Sequence, residues 1–408
     1  MKQLKVLPLA IAVASSLVAF GSTAAESATT NLEERIANIE SRMASETNDL
    51  VFFGYARYGM HYKEGDSRYV SGIGSTGQTV GRLGNEANGG EFGLSKKINA
   101  ENGAKWDITV MVEDWGNDEW SSPGGVNLKR FYAGASNIFE GQENMYVWAG
   151  RDFHARLQQG LNDYYVTIED GQGGGFKNLD LGGANLDFAV VGGADFEEGS
   201  LGNDNGKYAI TSRLHGIDMG MTTVDFYAHY GFASSDADTP TQKIEGESAY
   251  LVGTKASLWS GANLHLRYSD GASNSVLAVD GSEYTMFFAS IEGGFSPADN
   301  WNIDYLGAFV TAEGDDTDDR NEISLITRPQ YKWNDVHSTW LELGYAKVDN
   351  DDKDDVDGWK ATLSQNISLG GLPWSRPMLR FYATVGEKDT GLDTVDTTSF
   401  GAMFEAWW

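Results

Sequence analysis

The amino-acid sequence predicts an all-β protein: a closed antiparallel β-barrel that spans a membrane, preceded by a short helical segment. Three observations predict this class. They are an export signal at the N-terminus, alternation of apolar and polar residues through most of the chain, and an amphipathic last strand that ends on tryptophan. Because the three lie in separate parts of the chain, their agreement carries more weight than any one of them alone.

The first 25 residues have the composition of a signal peptide. Lys2 and Lys5 precede an apolar run over 6–20, and small residues follow it as far as Ala25. A basic start, a short apolar run and a small-x-small site are the features of export signals. An uncleaved anchor helix is the weaker alternative, since the run is short and polar residues follow at once. We therefore expect export and cleavage after Ala25.

Residues 26–48 predict a short periplasmic helical extension. Apolar residues repeat with the a/d spacing of a coiled coil at Leu32, Ile36, Ile39 and Met43. The repeat covers barely two heptads, which is too short for a helix that is stable alone. Two interpretations remain open: a trimeric coiled coil at the barrel axis, or an amphipathic helix on the periplasmic rim.

Residues 50–408 predict the barrel itself. Short apolar and aromatic runs alternate with polar residues, and clusters of Gly, Asn, Asp and Ser separate them; the chain has 50 glycines but only 7 prolines, so the breaks are turns. In one run Phe226 lies on the apolar face, whereas Asp225 and His229 lie on the polar one. Such strands are too numerous for one sandwich core, but lipid outside and water inside suit a barrel.

The last strand has the form of an assembly signal for outer-membrane barrels. One face is apolar or aromatic through to the final residue, at Phe400, Ala402, Phe404, Ala406 and Trp408. There is no cysteine in the chain, so disulfides do not stabilise this exported protein. A closed barrel provides stability instead, because every strand pairs on both sides.

The net charge excludes several partners. With 30 basic and 59 acidic residues the formal charge is −29, so nucleic acid and anionic lipid headgroups would be repelled. Acidic residues cluster at 315–319 and 349–357. Such clusters are typical of solvated loop tips. The alternative is binding of divalent cations close to lipopolysaccharide, although the spacing is not that of an EF-hand.

No catalytic, metal or cofactor site is expected. The six histidines are scattered and form no metal-spaced pair. The glycine-rich segment 171–175 lacks the lysine and the helix of a phosphate-binding loop, and predicts a turn or a flexible part of an inward loop. An enzymatic barrel would need a fixed Ser or Asp and His constellation, which the sequence does not show.

Strand parity places large aromatic rings on the wet inner face. Tyr55 shares its face with Arg57, Trp407 shares its face with Glu405, and Trp374 has the inner parity of the strand after it. A pyranose stacks its apolar face on an aromatic ring while its hydroxyl rim binds charged groups. Rings interleaved with charges therefore favour a sugar. The alternative is an aromatic girdle, or packing beneath an inward loop.

Several segments in this order resemble the maltoporin family and span the chain from residue 50 to residue 408. They are 53–57 (FGYAR), 82–86 (RLGNE), 148–151 (WAGR), 162–165 (NDYY), 328–333 (RPQYKW), 374–377 (WSRP) and the terminal WW. The resemblance implies an 18-stranded barrel, a homotrimer, and passive, saturable diffusion of maltose and maltodextrins. It also implies the outer membrane of a Gram-negative bacterium, among lipid and lipopolysaccharide.

The resemblance also implies individual site residues. Those matching the family's sugar-stacking rings are Tyr55, Trp120, Trp374 and Trp407, and Trp120 (with Trp115 as the fallback) matches the ring that a neighbouring subunit donates. Those matching the polar track and the constriction are Arg57, Arg82, Glu91, Arg156, Asp163, Tyr165 and Asn263. Glu91 and Asn263 match only with a one-residue gap.

The chain departs from the family pattern at several positions. Glycine stands in the 88–91 stretch where the family has a stacking ring, and Ala262 stands at another ring position. Two polar constriction residues are replaced by Gln158 and Gly160. The exact sugar therefore stays open between maltodextrins, sucrose and aryl-β-glucosides. A general porin and a surface-binding protein, such as a phage receptor or an adhesin, are the further alternatives.

Overall fold

The computed structural model describes residues 50–115, 125–194, 204–239, 242–258, 261–314 and 319–408. The predicted signal peptide, the predicted helical extension and Trp120 lie outside the described residues. Among the residues described, no helix has both the length and the apolar character that crossing a membrane requires.

The described residues form one 18-stranded antiparallel sheet that closes on itself. Each strand pairs with the strands beside it in the chain, and the last pairs with the first, so the predicted closed barrel is confirmed. Its strands are β1 (Leu50–Lys63), β2 (Gly89–Asn99), β3 (Lys105–Trp115), β4 (Asn127–Ser136), β5 (Tyr146–Asp152), β8 (Gly171–Asp180), β9 (Asn185–Ala194), β10 (Asp204–Asp218), β11 (Thr222–Ala233), β12 (Ser248–Leu258), β13 (Asn263–Asp270), β14 (Tyr284–Ala298), β15 (Trp301–Gly314), β16 (Arg320–Lys332), β17 (His337–Asn350), β18 (Val356–Ser368), β19 (Met378–Asp389) and β20 (Thr394–Trp407). A separate inner pair is β6 (Leu157–Gln159) and β7 (Tyr164–Thr167), and single 3-10 turns lie at Ser235–Ala237 and Val276–Ala278.

The alternation along the strands separates an apolar outer face from a polar inner face. In β19 the rings and aliphatic chains of Leu379, Phe381 and Val385 are exposed, whereas Arg380 and Thr384 are buried inside. Neighbouring residues on a strand point to opposite faces, so this pattern is what a barrel in lipid requires. The predicted inside-versus-outside assignment is confirmed in this strand.

Two long connections fold back into the barrel. We call residues 64–88, between β1 and β2, the first inward segment, and residues 153–170, between β5 and β8, the second. Ile73 of the first packs against Val348 of β17. Val166 of the second packs in a cluster with Phe288 of β14. These apolar contacts hold both segments against the inner wall of the barrel.

Buried polar groups hold the first inward segment to the wall. The Lys360 ammonium of β18 donates hydrogen bonds of 2.5 Å to the carbonyl oxygens of Gly81 and Leu83. The Glu342 carboxylate of β17 accepts a 2.8 Å hydrogen bond from the Leu83 amide. A buried charge is costly unless it is paired and hydrogen-bonded, so these contacts fix the position of the segment.

Candidate functional site

A cavity of about 750 Å³ lies within the barrel, between the first strands, β20 and both inward segments. Aromatic rings and charged side chains line it together. Eight residues that the sequence pointed to are among those lining it: Tyr55, Arg57, Arg82, Glu91, Arg156, Asp163, Tyr165 and Trp407. Parity and family resemblance thus converge on one contiguous space.

Tyr55 and Trp407 stand side by side at the seam where the barrel closes. They are directly opposite each other in the β1–β20 register and therefore share a face. The Tyr55 hydroxyl donates a 2.9 Å hydrogen bond to Glu405. The guanidinium carbon of Arg376 lies 4.3 Å from the Trp407 ring centroid, and 43% of Trp407 stays exposed. Both rings are thus held in place, and Trp407 remains open to a solute.

Glu405 is the centre of a buried cluster of charges. Its carboxylate accepts hydrogen bonds of 2.9 Å from Arg82, Arg376 and Arg380. Glu86 of the first inward segment binds Arg380 as well. Charge-assisted hydrogen bonds of this kind are short and strong, so the cluster orders the wall beneath the two rings.

Asp163 of the second inward segment faces two cations across the cavity. Its carboxylate accepts a 2.8 Å hydrogen bond from Arg57 and one of 3.2 Å from Arg82. Burial would raise the pKa of the Asp163 carboxyl, but the charges of Arg82 and Arg57 outweigh burial and hold the pKa below its ordinary value. Asp163 is therefore an anion at neutral pH, with its oxygens on the cavity surface.

Arg156 presents a second cation on the same segment. Its Nε donates a 2.8 Å hydrogen bond to Asp170, and Nη1 donates one of 3.3 Å to the Tyr165 hydroxyl. The guanidinium carbon lies 3.3 Å from the Phe153 ring centroid. Stacking on a ring limits the freedom of the guanidinium, so Arg156 is held in place at the wall of the cavity that it lines.

Trp115 also lines the cavity, although the sequence offered it only as the fallback for a ring given to a neighbouring subunit. Its ring stacks on Tyr55 of its own barrel, with centroids 6.1 Å apart. Glu113 and Arg130 are further lining residues that the sequence analysis did not single out. Parity along β3 could have found Glu113 and Trp115, because they alternate with the outward-facing Val110 and Ile108.

Three predicted site residues fall elsewhere. Trp374 lies in the turn 369–377, before β19 begins at Met378, so strand parity does not extend to it. Its side chain is 65% exposed and does not line the cavity. Asn263 starts β13 and accepts a 3.0 Å hydrogen bond from Ser257, also away from this lining. Trp120 is not among the described residues.

Metal ligands are not grouped in the described ranges. No set of three or more His, Cys, Asp or Glu side chains there is placed to hold a metal ion. The acidic cluster 349–357 lies in the described part of the chain, and its carboxylates do not form such a set.

A closed barrel with an apolar outer face and a constricted, charged and aromatic lumen defines a porin of the Gram-negative outer membrane. The family model described as LamB porin matches residues 50–408. The chain belongs to the LamB porin family.

Relatives are similar over most of the chain, and two solved structures are similar in fold. A maltoporin of Vibrio cholerae serotype O1 (El Tor Inaba N16961) is 27% identical over 397 residues, covering 83% of this chain and 92% of that one. A maltoporin of Photobacterium profundum is 25% identical over 407 residues, covering 89% and 94%. Among solved structures, OccK3 (OpdO) of Pseudomonas aeruginosa is similar with a TM-score of 0.51 at 12% identity, covering 88% and 96%. A BenF-like porin of Pseudomonas fluorescens Pf-5 also gives 0.51, at 11% identity, covering 88% and 99%. These two structures support the barrel fold alone.

Proposed function

We propose that the chain is a channel for the passive, facilitated diffusion of maltose and maltodextrins. The observation that carries the proposal is the pair of rings Tyr55 and Trp407, side by side on the inner face and flanked by charged side chains in one cavity. The similarity to proteins named maltoporin supports the choice of sugar. Sugar leaves the channel chemically unchanged, so no catalytic role is assigned.

The mechanism divides recognition between rings and charges. The apolar face of each glucosyl unit stacks on Tyr55 and Trp407, which contributes about 1 kcal/mol per ring. The hydroxyl rim exchanges hydrogen bonds with Arg57, Arg82 and Asp163 as the sugar advances. Each contact has to be weak and repeated, because a site that binds too tightly stops flux.

The remaining predicted residues take subsidiary roles in this proposal. Arg156, Tyr165 and Glu91 border the same cavity and bind hydroxyls from other sides. Trp374 and Asn263 would meet the sugar outside this cavity. Trp120 would serve a neighbouring subunit of a homotrimer. These assignments rest on the family resemblance and stay predictions.

Export and assembly complete the proposal. Residues 1–25 would direct export and be removed, and residues 26–48 would form a helical extension on the periplasmic side. Three copies would form a trimer in the outer membrane, among lipid and lipopolysaccharide. Divalent cations bound at the acidic loops remain an alternative role for those loops.

Conductance of the purified channel in planar bilayers tests the proposal. We expect maltohexaose to reduce the ion current in a saturable manner, with sucrose and an aryl-β-glucoside added in parallel as competing sugars. Stronger block by either competing sugar would reassign the substrate. An open channel that no sugar blocks would indicate a general porin, and the absence of any channel would indicate a surface-binding protein.

A further inference from the structure

We propose that Trp115 is a further sugar-stacking residue of the lumen, and that Gly89 is glycine in order to admit its ring. The proposal rests on the sugar channel proposed above and adds a binding surface supplied by β3. The Trp115 ring belongs to β3 and reaches Tyr55 of β1 across β2, which lies between these two strands.

The contact between Trp115 and Tyr55 crosses an intervening strand. Tyr55 lies on β1 and Trp115 on β3, while β2 pairs with both of these strands. The two rings nevertheless stack, with centroids 6.1 Å apart and planes inclined by 26°. A side chain on β3 can reach a ring on β1 only by lying over the inner surface of β2.

Gly89 is the residue of β2 over which the Trp115 ring passes. The two are directly opposite in the β2–β3 register and so share the inner face. A Cβ atom at Gly89 would stand 2.4 Å from Cε3 of the indole, closer than real contacts allow. Gly89 also has φ +155°, which side chains rarely adopt. The Trp115 indole can therefore occupy this position only because residue 89 has no side chain.

The result is a row of three aromatic residues on the inner face. Trp407 on β20 adjoins Tyr55 on β1, and Tyr55 stacks on Trp115, so three rings follow each other around the inner wall. All three line the same cavity, and 36% of Trp115 remains exposed to it. A pyranose with its apolar face on Tyr55 has the indole as its next neighbour.

Charged groups complete the surface at Trp115. The guanidinium carbon of Arg57 lies 5.2 Å from the Trp115 ring centroid, and Glu91 and Glu113 line the same cavity. An aromatic face bordered by a cation and by carboxylates offers a sugar both stacking and hydroxyl partners. Trp115 therefore has the surroundings of a sugar subsite, which a ring packed only for structure does not need.

Two substitutions of Trp115 test the first part of the proposal, because they distinguish the effect of an aromatic face from that of apolar volume. Block of ion current by maltohexaose is compared for Trp115→Phe, which keeps an aromatic face, and Trp115→Leu, which keeps apolar bulk without one. We expect Trp115→Leu to weaken the block about fivefold and Trp115→Phe to weaken it less. Equal block by wild type and Trp115→Leu, or equal loss in both variants, would overturn the proposal.

A tryptophan on the other face of β3 provides the matched control. Trp106 is exposed on the outer side, at the parity of Ile108 and Val110. Trp106→Leu makes the same chemical change in the same strand, and we expect maltohexaose block to stay as in wild type. If wild type itself shows no block by sugar, the proposed function fails as a whole. Block in wild type that Trp115→Leu leaves intact removes only the role of Trp115.

Gly89→Ala tests the coupling between the two strands. The added methyl group must displace the Trp115 indole, so this variant should lose block by maltohexaose to about the same extent as Trp115→Leu. Adding Gly89→Ala to Trp115→Leu should then cause a smaller loss than Gly89→Ala causes in wild type. The ring is already gone, and only the strain of φ +155° and the 2.7 Å approach to the Asp114 carbonyl oxygen remain. Additive losses would show that Gly89 acts independently of Trp115 and would refute the coupling.

Discussion

The Arg57 guanidinium and the Asp163 carboxylate are joined by a 2.8 Å hydrogen bond that links the barrel wall to the second inward segment. Arg82 of the first inward segment binds the other carboxylate oxygen of Asp163 at 3.2 Å. One carboxylate therefore ties together β1 and both inward segments at the cavity. The same oxygens are those that a passing sugar hydroxyl would meet, so structure and recognition depend on one group.

Asp163→Asn should loosen this junction. The amide keeps one acceptor oxygen but removes the negative charge, which leaves Arg57 without a counter-ion and Arg82 with Glu405 as its remaining one. A hydrogen bond to a charged group contributes about 1.5–3 kcal/mol, so we expect sugar block to weaken about tenfold or more. Ion conductance should rise as the second inward segment moves. Single-channel recordings with maltohexaose measure both, and unchanged values would contradict the assignment.

The junction should also respond to acid in wild type. The pKa of Asp163 is lowered in the folded protein, so its contribution to stability is complete above the ordinary aspartate value of about 4 and is lost as pH falls through the lowered pKa. We expect sugar block to be unaffected by Asp163 between pH 7 and pH 5, and to decline only below about pH 4. Sugar block by wild type and by Asp163→Asn is compared at each pH. Because the variant has no carboxyl at position 163, the part of the decline that is due to Asp163 should be absent from it, whereas the part due to other carboxylates should remain.

Trp407→Ala should weaken sugar binding while leaving ion conductance largely intact. Loss of one stacking ring of about 1 kcal/mol corresponds to about fivefold weaker block. Trp359 is the control, because it is exposed on the outer face of β18, next to the buried Lys360. Titration of the current with maltohexaose should distinguish Trp407→Ala from Trp359→Ala. Equal behaviour of the two variants would remove Trp407 from the sugar path.

The barrel and most of the cavity could be predicted from sequence because the side-chain period of a strand is two. Once one residue of a strand is assigned to lipid, parity assigns the rest, as Phe381 and Arg380 show in β19. Tyr55 and Trp407 were placed inside by the same argument. The resemblance supplied the number of strands, which alternation alone leaves uncertain.

Other features depend on contacts that local patterns do not encode. Residues 171–175 were predicted as a turn or a flexible part of an inward loop, but they begin β8. Their glycines allow close approach of β9, since a Cβ atom at Gly173 would stand 2.0 Å from the Val190 carbonyl oxygen. Trp374 precedes β19 by four residues, so strand parity does not determine where its ring lies. Parity along β3 gives the inner face of Trp115, but its contact with Tyr55 depends on pairing across β2, which parity along one strand cannot give.

Lys360→Met should release the first inward segment without unfolding the barrel. Lys360 is fully buried and donates to the carbonyl oxygens of Gly81 and Leu83. Gly81 would lose this partner, and Leu83 would keep the hydroxyl of Thr362. We expect noisier and larger ion currents and faster proteolysis within residues 64–88. Lys388→Met is the control: Lys388 donates to Ser71 and Gly72 of the same segment, but from an exposed position where such contacts contribute little. Similar proteolysis of both variants would contradict the anchoring role of Lys360.

Glu405→Gln should destabilise the seam of the barrel. The carboxylate is buried and binds Arg82, Arg376 and Arg380. In the neutral variant Arg380 keeps Glu86 and Arg82 keeps Asp163 as an anionic partner, whereas Arg376 loses the carboxylate that it binds. Breaking a buried ion pair from one side costs about 3–5 kcal/mol.

The free energy of unfolding of Glu405→Gln in detergent, from denaturant titration, measures this loss. Glu140→Gln, in the exposed turn between β4 and β5, is the control and should change little. If repulsion among the arginines causes the loss, then Arg376→Gln added to Glu405→Gln should recover part of the stability. A further loss in the double variant would mean that packing, rather than charge balance, holds the seam together.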